Sequence, residues 1–222
     1  MNILAINTAE NTLYIALQYK QKLYEIKENN AQHSVSLMSA IDKLLKVADA
    51  KLNEMDIFGV IVGPGSFTGI RIGLATIKAF AYVLNKNIVG VNSLECYAYN
   101  SLGKFSNDKN IVSILDAGSG LIYYAEYSSS IKEIISPTAY TLAEVKGYAN
   151  DKNIVVQLND KLCNAEFTNV TALEFNNAKF IALVEEYALK NKVNTSQTIM
   201  PLYIRLSQAE NDLIKKEKKI NV

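Results

Sequence analysis

The 222-residue chain is 49% hydrophobic and 20% charged, and 23 basic against 22 acidic residues leave a formal net charge of +1. That profile fits a soluble globular protein with a sizeable core and gives no basic footprint for nucleic acid. No apolar run approaches the roughly 18 residues of a membrane span, and the start MNILAINTAEN lacks a signal peptide's basic region and cleavage site.

In chain order, residues 2–6 and 12–17 read as strands joined by a polar turn, Thr8 to Asn11. Lys22 to Lys27 reads as a third, edge-like strand. A helix follows from about Ser34 to Ala48, with Leu37, Met38, Ile41, Leu44, Leu45 and Ala48 on one stripe. Ile57 to Val62 is apolar throughout, as in a strand buried on both faces. A glycine loop, Gly63-Pro64-Gly65-Ser66-Phe67-Thr68-Gly69, then opens a long helix from Ile70 to Leu84. Ile88 to Val91 is a fifth strand, and Ser93 is the expected N-cap of a helix to about Ser101. This alternation predicts an α/β domain.

The second half opens at Ile111 to Asp116 and matches the start of the chain at an offset of 109. Asn7 falls on Asp116, Tyr14 on Tyr123 and Ala16 on Ala125. Any two hairpins share such features; a duplication into two related halves facing a cleft is the sharper reading. Further on, Ile131 to Ile135 and Ile154 to Leu158 suit strands. Thr141 to Tyr148 and Asn177 to Lys190 suit helices. Ser207 to Lys219 is helix-compatible but polar on nearly every face, as in a frayed or partner-binding tail.

Scarce residues limit the chemistry. The single histidine, His33, excludes a metal site built from several imidazoles within one chain; its place before Ser34 suits capping or the surface. Arg71 and Arg205 are the two candidates for bidentate phosphate recognition. Cys96 and Cys163 lie far apart and read as reduced thiols of a cytoplasmic protein.

The glycine loop is neither a Walker A motif, nor GxGxxG, nor a nucleophile elbow. It leaves small residues and backbone amides at a helix start, suited to an anion, a close partner or a tightly packed turn. The Ile70–Leu84 helix is apolar around nearly its whole circumference, so it is expected to be buried all round, either internally or by a second subunit. Asn7 and Asp116 occupy the matching turns. A pair of carboxylates there would hold Mg²⁺ through water, but Asn7 brings no charge, and either residue can simply close an Asx turn.

Met1 to Thr8, Gly63 to Gly73, Val89 to Leu94, Asp116-Ala117 with Tyr123 to Ala125, and Pro201 to Arg205 together resemble the TsaB (YeaZ-type) family of tRNA threonylcarbamoyladenosine biosynthesis. The Gly63–Gly73 stretch is the specific part. The resemblance implies a duplicated actin/Hsp70-like (ASKHA) fold of two ribonuclease-H-like lobes, residues 1–105 and a reduced 106–222. It implies a cytoplasmic, non-catalytic paralogue of TsaD, required with TsaD and TsaE for transfer of threonylcarbamoyl to N6 of adenosine 37. Such a chain has no cofactor of its own, shares any nucleotide with TsaD and TsaE, meets tRNA only through the complex, and forms a homodimer when alone.

Gly63 to Gly69 and Arg71 carry over as the family motif and a candidate anion-contacting loop. Asn7, Thr8 and Asp116 stand as degenerate phosphate-turn positions. Asn7 and Gly118 depart from the usual Asp and Arg, and no glycine-rich adenosine turn follows Gly147. The expected partner interface is Leu37, Met38, Ile41 and Leu45 of the first helix with Ile70, Leu74, Ile77, Lys78 and Ala81 of the second. A stand-alone ASKHA phosphotransferase or ATPase is the alternative reading. A glycopeptidase-like hydrolase is disfavoured by one histidine and no nucleophile motif.

Overall fold

The structure is a computed structural model, and it describes residues 1–105, 109–149, 152–157, 162, 167 and 169–205. Two five-stranded sheets are built in the same way. The first comprises β1 (Ile3–Asn7), β2 (Leu13–Tyr19), β3 (Lys22–Glu28), β4 (Ile57–Gly63) and β5 (Asn87–Asn92), in the order β3-β2-β1-β4-β5. The second comprises β6 (Ile111–Gly118), β7 (Leu121–Tyr127), β8 (Glu133–Thr141), β9 (Asn153–Gln157) and β10 (Val170–Leu173), in the order β8-β7-β6-β9-β10. In each, an antiparallel meander of three strands is followed by two parallel strands. Two hairpins sharing chance features would not repeat a whole sheet order. The expected duplicated actin/Hsp70-like fold is present.

Helices α1 (His33–Ala48) and α2 (Phe67–Leu84) cover one face of the first sheet and touch each other. Helices α3 (Ser93–Asn100) and α5 (Asn177–Leu189) pack together on its other face, and α3 also meets β6, β7 and β9 of the second sheet. α4 (Leu142–Tyr148) lies on β7 and β8. The main core joins both sheets through α3 and α5, with Phe58, Tyr97, Tyr127 and Phe180 among its fully buried large side chains. The reduction of the second half is visible in α4, which has 7 residues where the equivalent α1 has 16.

Several boundaries differ from the sequence-based expectations, each for a local reason. The N-cap of α3 is Asn92, whose Oδ1 accepts from the Leu94 amide at 2.8 Å; Ser93 is already helical. Ser66 caps α2, its Oγ accepting from the Gly69 amide, so that helix starts three residues before Ile70. The strand expected at 131–135 begins at Glu133, because Ile131 sits at φ +61° in the turn closed between Ser128 and Lys132. β8 then runs on through Pro137, which an edge strand tolerates. β10 was not foreseen: Val170 to Leu173 is too short to carry a period of its own. Ser207 to Lys219 and Cys163 lie outside the described residues, and Cys96 is buried.

Helix α2 corrects two expectations together. Its 18 residues are long and apolar enough, by length and composition, to cross a membrane, so such a run does exist. Yet Ile70, Leu74, Ile77 and Ala81 are buried in the core, as in the helix layer of an α/β sheet. The chain's own core does not bury α2 all round, since Ala75, Ala79, Tyr82 and Val83 are exposed on its outward side; this overturns the internal alternative and leaves the second subunit as the cover expected for that side.

Candidate functional site

The two hairpins face a cleft of about 750 Å³. From the first half it is lined by the β1–β2 turn (Ala9 to Thr12), the end of β3 and the loop Pro64 to Ser66. From the second half come Leu115 to Gly118, Tyr123, Gln157 and the segment Glu174-Phe175 after β10. The cleft therefore contains both expected turns and part of the glycine loop.

The turns are made alike. Asn7 Oδ1 accepts from the Ala9 amide at 2.9 Å, and Asp116 Oδ1 accepts from the Gly118 amide at 2.9 Å. Each side chain closes an Asx turn, the simpler of the roles open to it. The strand registers beyond the turns differ by one residue. Tyr14 pairs with Asn7, whereas Tyr123 pairs with Leu115, because a bulge lies between Asp116 and Gly118.

The glycine loop is shaped by close backbone approach. A Cβ on Gly69 would lie 1.9 Å from the Thr8 carbonyl oxygen, one on Gly73 2.3 Å from Thr8 Oγ1, and one on Gly65 2.4 Å from the Ala9 carbonyl oxygen. Thr8 Oγ1 donates to the Gly69 carbonyl at 2.7 Å, and the Ser66 amide donates to the Ala9 carbonyl at 2.8 Å. The loop residues Gly65, Ser66 and Gly69, with Gly73, thus let the start of α2 press directly on the β1–β2 turn. A tightly packed turn explains them without an anion. The Gly63–Pro64 peptide is cis. Pro64 lines the cleft, and Thr68 lies in the first turn of α2.

Neither arginine faces the cleft as a phosphate clamp. The Arg71 guanidinium lies 3.9 Å from the Phe67 ring centroid, and its Nε donates to Tyr203 Oη at 2.8 Å. Phe67 and Tyr203 stack at 4.8 Å. Arg205 Nη1 donates to the carbonyls of Ala117 and Gly118. The Leu202 amide donates to the Val62 carbonyl, and a Cβ on Gly63 would strike the Leu202 carbonyl. Both arginines therefore fasten the segment around Pro201 to Arg205 across the first half and onto the second turn. The loop and this segment were legible as separate motifs; their contact was not.

Glu10 was missed by sequence reasoning and is central to the cleft. Its Oε1 accepts from Asn7 Nδ2 at 2.8 Å, and its Oε2 accepts from Gln157 Nε2 at 2.6 Å. Residues from both halves thus hold one carboxyl group. Burial, opposed by the hydrogen bond from Asn7, pushes its pKa up to about 7. His33 Nε2 sits 2.6 Å from the Glu10 carbonyl oxygen, tying the start of α1 to the same turn. A lone Glu in a polar turn carries no sequence signal that separates it from a solvated one. The cleft lining holds Glu10, Asp116 and Glu174 against Lys27, a sign that repels a polyphosphate. No group of three or more His, Cys, Asp or Glu among the described residues could hold a metal ion.

The expected partner-facing residues divide. Leu37, Ile41, Ile70, Leu74, Ile77 and Ala81 are buried in the chain's own core, because they form the inward stripes of α1 and α2. They are not surface. Leu45 and Lys78 are partly buried, and Met38 is exposed. The exposed apolar surface of the two helices is instead Val35, Met38 and Val47 on α1 and Phe67, Ala75, Ala79, Tyr82 and Val83 on α2, with Tyr82 72% and Val83 78% exposed.

The fold and the site define a duplicated actin/Hsp70-like protein with an acidic interlobe cleft and an open apolar face on α1 and α2. A family model described as "TsaD: tRNA N6-adenosine threonylcarbamoyltransferase" matches residues 27–213. The chain belongs to this family, in its TsaB/YeaZ-type branch. It is similar to the "tRNA threonylcarbamoyladenosine biosynthesis protein TsaB" of Buchnera aphidicola subsp. Baizongia pistaciae, with 28% identity over 91% of this chain and 97% of that one. The protein of the same name from Bacillus subtilis is 36% identical over 62% of this chain and 60% of its own length. Among solved structures, YeaZ from Pseudomonas aeruginosa superposes with a TM-score of 0.75 at 17% identity, covering 91% of this chain and all (100%) of that one. A Pseudomonas aeruginosa protein described as similar to the peptidase YeaZ gives 0.79 at 18% identity, with 92% and 99% covered.

Proposed function

We propose that this chain is a non-catalytic subunit of the machinery that makes threonylcarbamoyladenosine in tRNA. Its role is to bind and support a TsaD-type transferase, with TsaE as a further member of the assembly. The observation that carries this reading is the outward face of α1 and α2. Ala75, Ala79, Tyr82 and Val83 form an apolar stripe on a helix whose opposite stripe is already buried. Val35 and Met38 are exposed apolar residues of α1, which touches α2. Such contiguous apolar surface, rimmed by Arg71 and Lys78, suits a protein partner. The same face serves a homodimer in the absence of TsaD.

The cleft supports the non-catalytic part of the reading. Where an actin-like enzyme needs phosphate donors, this chain has Glu10 bridged between the halves, and its two arginines bind its own backbone and rings. The two lobes are assigned to residues 1–105 and 106–222, each with one sheet, with α5 of the second reaching back onto the first sheet. Reconstitution of tRNA modification from purified TsaD, TsaE, tRNA and an activated threonylcarbamoyl donor, with and without this chain, tests the proposal. Modification that requires the chain supports it; full modification in its absence overturns it.

A further inference from the structure

The partner role leaves one wall of the interlobe cleft unused. Ser93 and Tyr97 lie one turn apart on α3 and line the cleft. Ser93 is 4% exposed and Tyr97 1%, and neither hydroxyl has a hydrogen-bond partner among the described residues. A buried hydroxyl left unmatched has lost its water without gaining a partner, so each is a ready partner for a polar guest. The Tyr97 hydroxyl lies beside the Glu10 carboxyl, close enough that each shifts the other's titration, but without a hydrogen bond of full geometry between them.

Aromatic rings stand beside these groups. Phe175 lies 4.9 Å from Tyr14 and 6.1 Å from Tyr97, centroid to centroid, and all three line the cleft. Ring faces carry negative potential and attract cations, most strongly where water is excluded. The carboxylates add to this. Glu174 is ion-paired with Lys27, while the partners of Glu10 among the described residues are neutral: the amides of Asn7 and Gln157 and the nearby Tyr97 hydroxyl.

We infer that this wall binds a small organic ammonium group, its N–H bonds directed to Glu10 and the Ser93 and Tyr97 hydroxyls and its charge set against the Tyr14 and Phe175 rings. A polyphosphate is repelled by the same carboxylates. A neutral polyol satisfies the hydroxyls but leaves the carboxylate and the rings without a cation. The inference is independent of the proposed partner role, because none of the exposed apolar residues of the α1–α2 face lines the cleft.

Calorimetry on the full chain tests it. The probes are putrescine, Nα-acetyl-lysine amide and, as neutral isostere, butanediol. Putrescine binding marks a free amine as the ligand; binding of the lysine derivative alone marks a lysine presented by another polypeptide. Either supports the site, provided that the diol binds at least about tenfold more weakly. Glu10 ionises near neutrality, so binding should be tighter at about pH 8 than at about pH 6. Glu10→Gln should weaken it at least about tenfold, the scale of one charge-assisted hydrogen bond. Tyr97→Phe keeps the ring and should weaken it several-fold, which keeps the test decisive if Glu10→Gln disturbs the fold. Equal binding of amine and diol, no binding of either amine at millimolar concentration, or indifference to Tyr97→Phe overturns the inference.

Discussion

Asn7 and Asp116, 109 positions apart, make the same contact: the Oδ1 of each accepts the amide two residues ahead at 2.9 Å. One of the two is a carboxylate and the other an amide. The amide has a second task that a carboxylate could not perform, because its Nδ2 donates to Glu10.

Asn7→Asp should therefore destabilise the protein above neutral pH. Asp keeps the acceptor for Ala9 but sets a second carboxylate against Glu10. Loss of the donor and the new repulsion should together cost about 1–3 kcal/mol. Denaturant unfolding at two pH values checks this: the loss should shrink in acid, where Glu10 is neutral. The substitution should not create micromolar binding of ATP with Mg²⁺, since the arginines remain committed elsewhere. Calorimetry reads that outcome.

Glu10 makes stability fall with rising pH. Its pKa is raised from 4.5 unfolded to about 7 folded. Between those values the folded state holds a proton that the unfolded state has released, so the slope of unfolding free energy against pH is negative. The contribution is fully present below the unfolded value and lost as pH rises through about 7. Its size is on the order of 1–3 kcal/mol. Glu10→Gln should flatten the pH profile across this window, as followed by urea unfolding.

Gly69→Ala should be severely destabilising. Its Cβ would meet the Thr8 carbonyl oxygen at 1.9 Å, backbone against backbone, so α2 would have to lift from the β1–β2 turn. A loss of about 2–4 kcal/mol is expected. Gly147→Ala in α4 is the control. Nothing lies within 4 Å of its Cβ, and helix propensity should leave stability unchanged or raise it by up to about 1 kcal/mol. Thermal melts of the two variants separate a packing role from a general intolerance of glycine substitution.

Sequence pattern was most informative where one element repeats a period. The α1 stripe, the buried β4 and the matched hairpins were all readable, and with them the duplicated fold. Pattern alone misled on the partner face. Leu74 and Ile77 share the apolar chemistry of Tyr82 and Val83, and only packing decides which stripe turns toward β4. Long-range pairs were also beyond reach. Gln157 meets Glu10 across 147 positions and Tyr203 meets Arg71 across 132, and no local signal links either pair. The glycine motif was visible, but its reason, the approach of Thr8 and Ala9, belongs to tertiary structure.

The fastening of Pro201 to Arg205 can be probed separately. Arg71→Ala removes the cation stacked on Phe67 and the donor to Tyr203, a loss of about 0.5–2 kcal/mol. Amide exchange at Leu202, bonded to Val62, should accelerate in this variant while exchange in the core strand β1 stays unchanged.

We propose above that the outward face of α1 and α2 binds a TsaD-type partner. The most direct measurement is tRNA modification in the reconstituted system with Val83→Lys, beside size-exclusion chromatography of the mixture with TsaD. Val83 is 78% exposed, so the variant should melt like the parent. Leu74→Lys, at a buried position, should instead unfold and serves as the contrast. The account predicts that Val83→Lys remains folded, fails to co-elute with TsaD and does not support modification. A folded Val83→Lys protein that co-elutes and supports modification like the parent would contradict it.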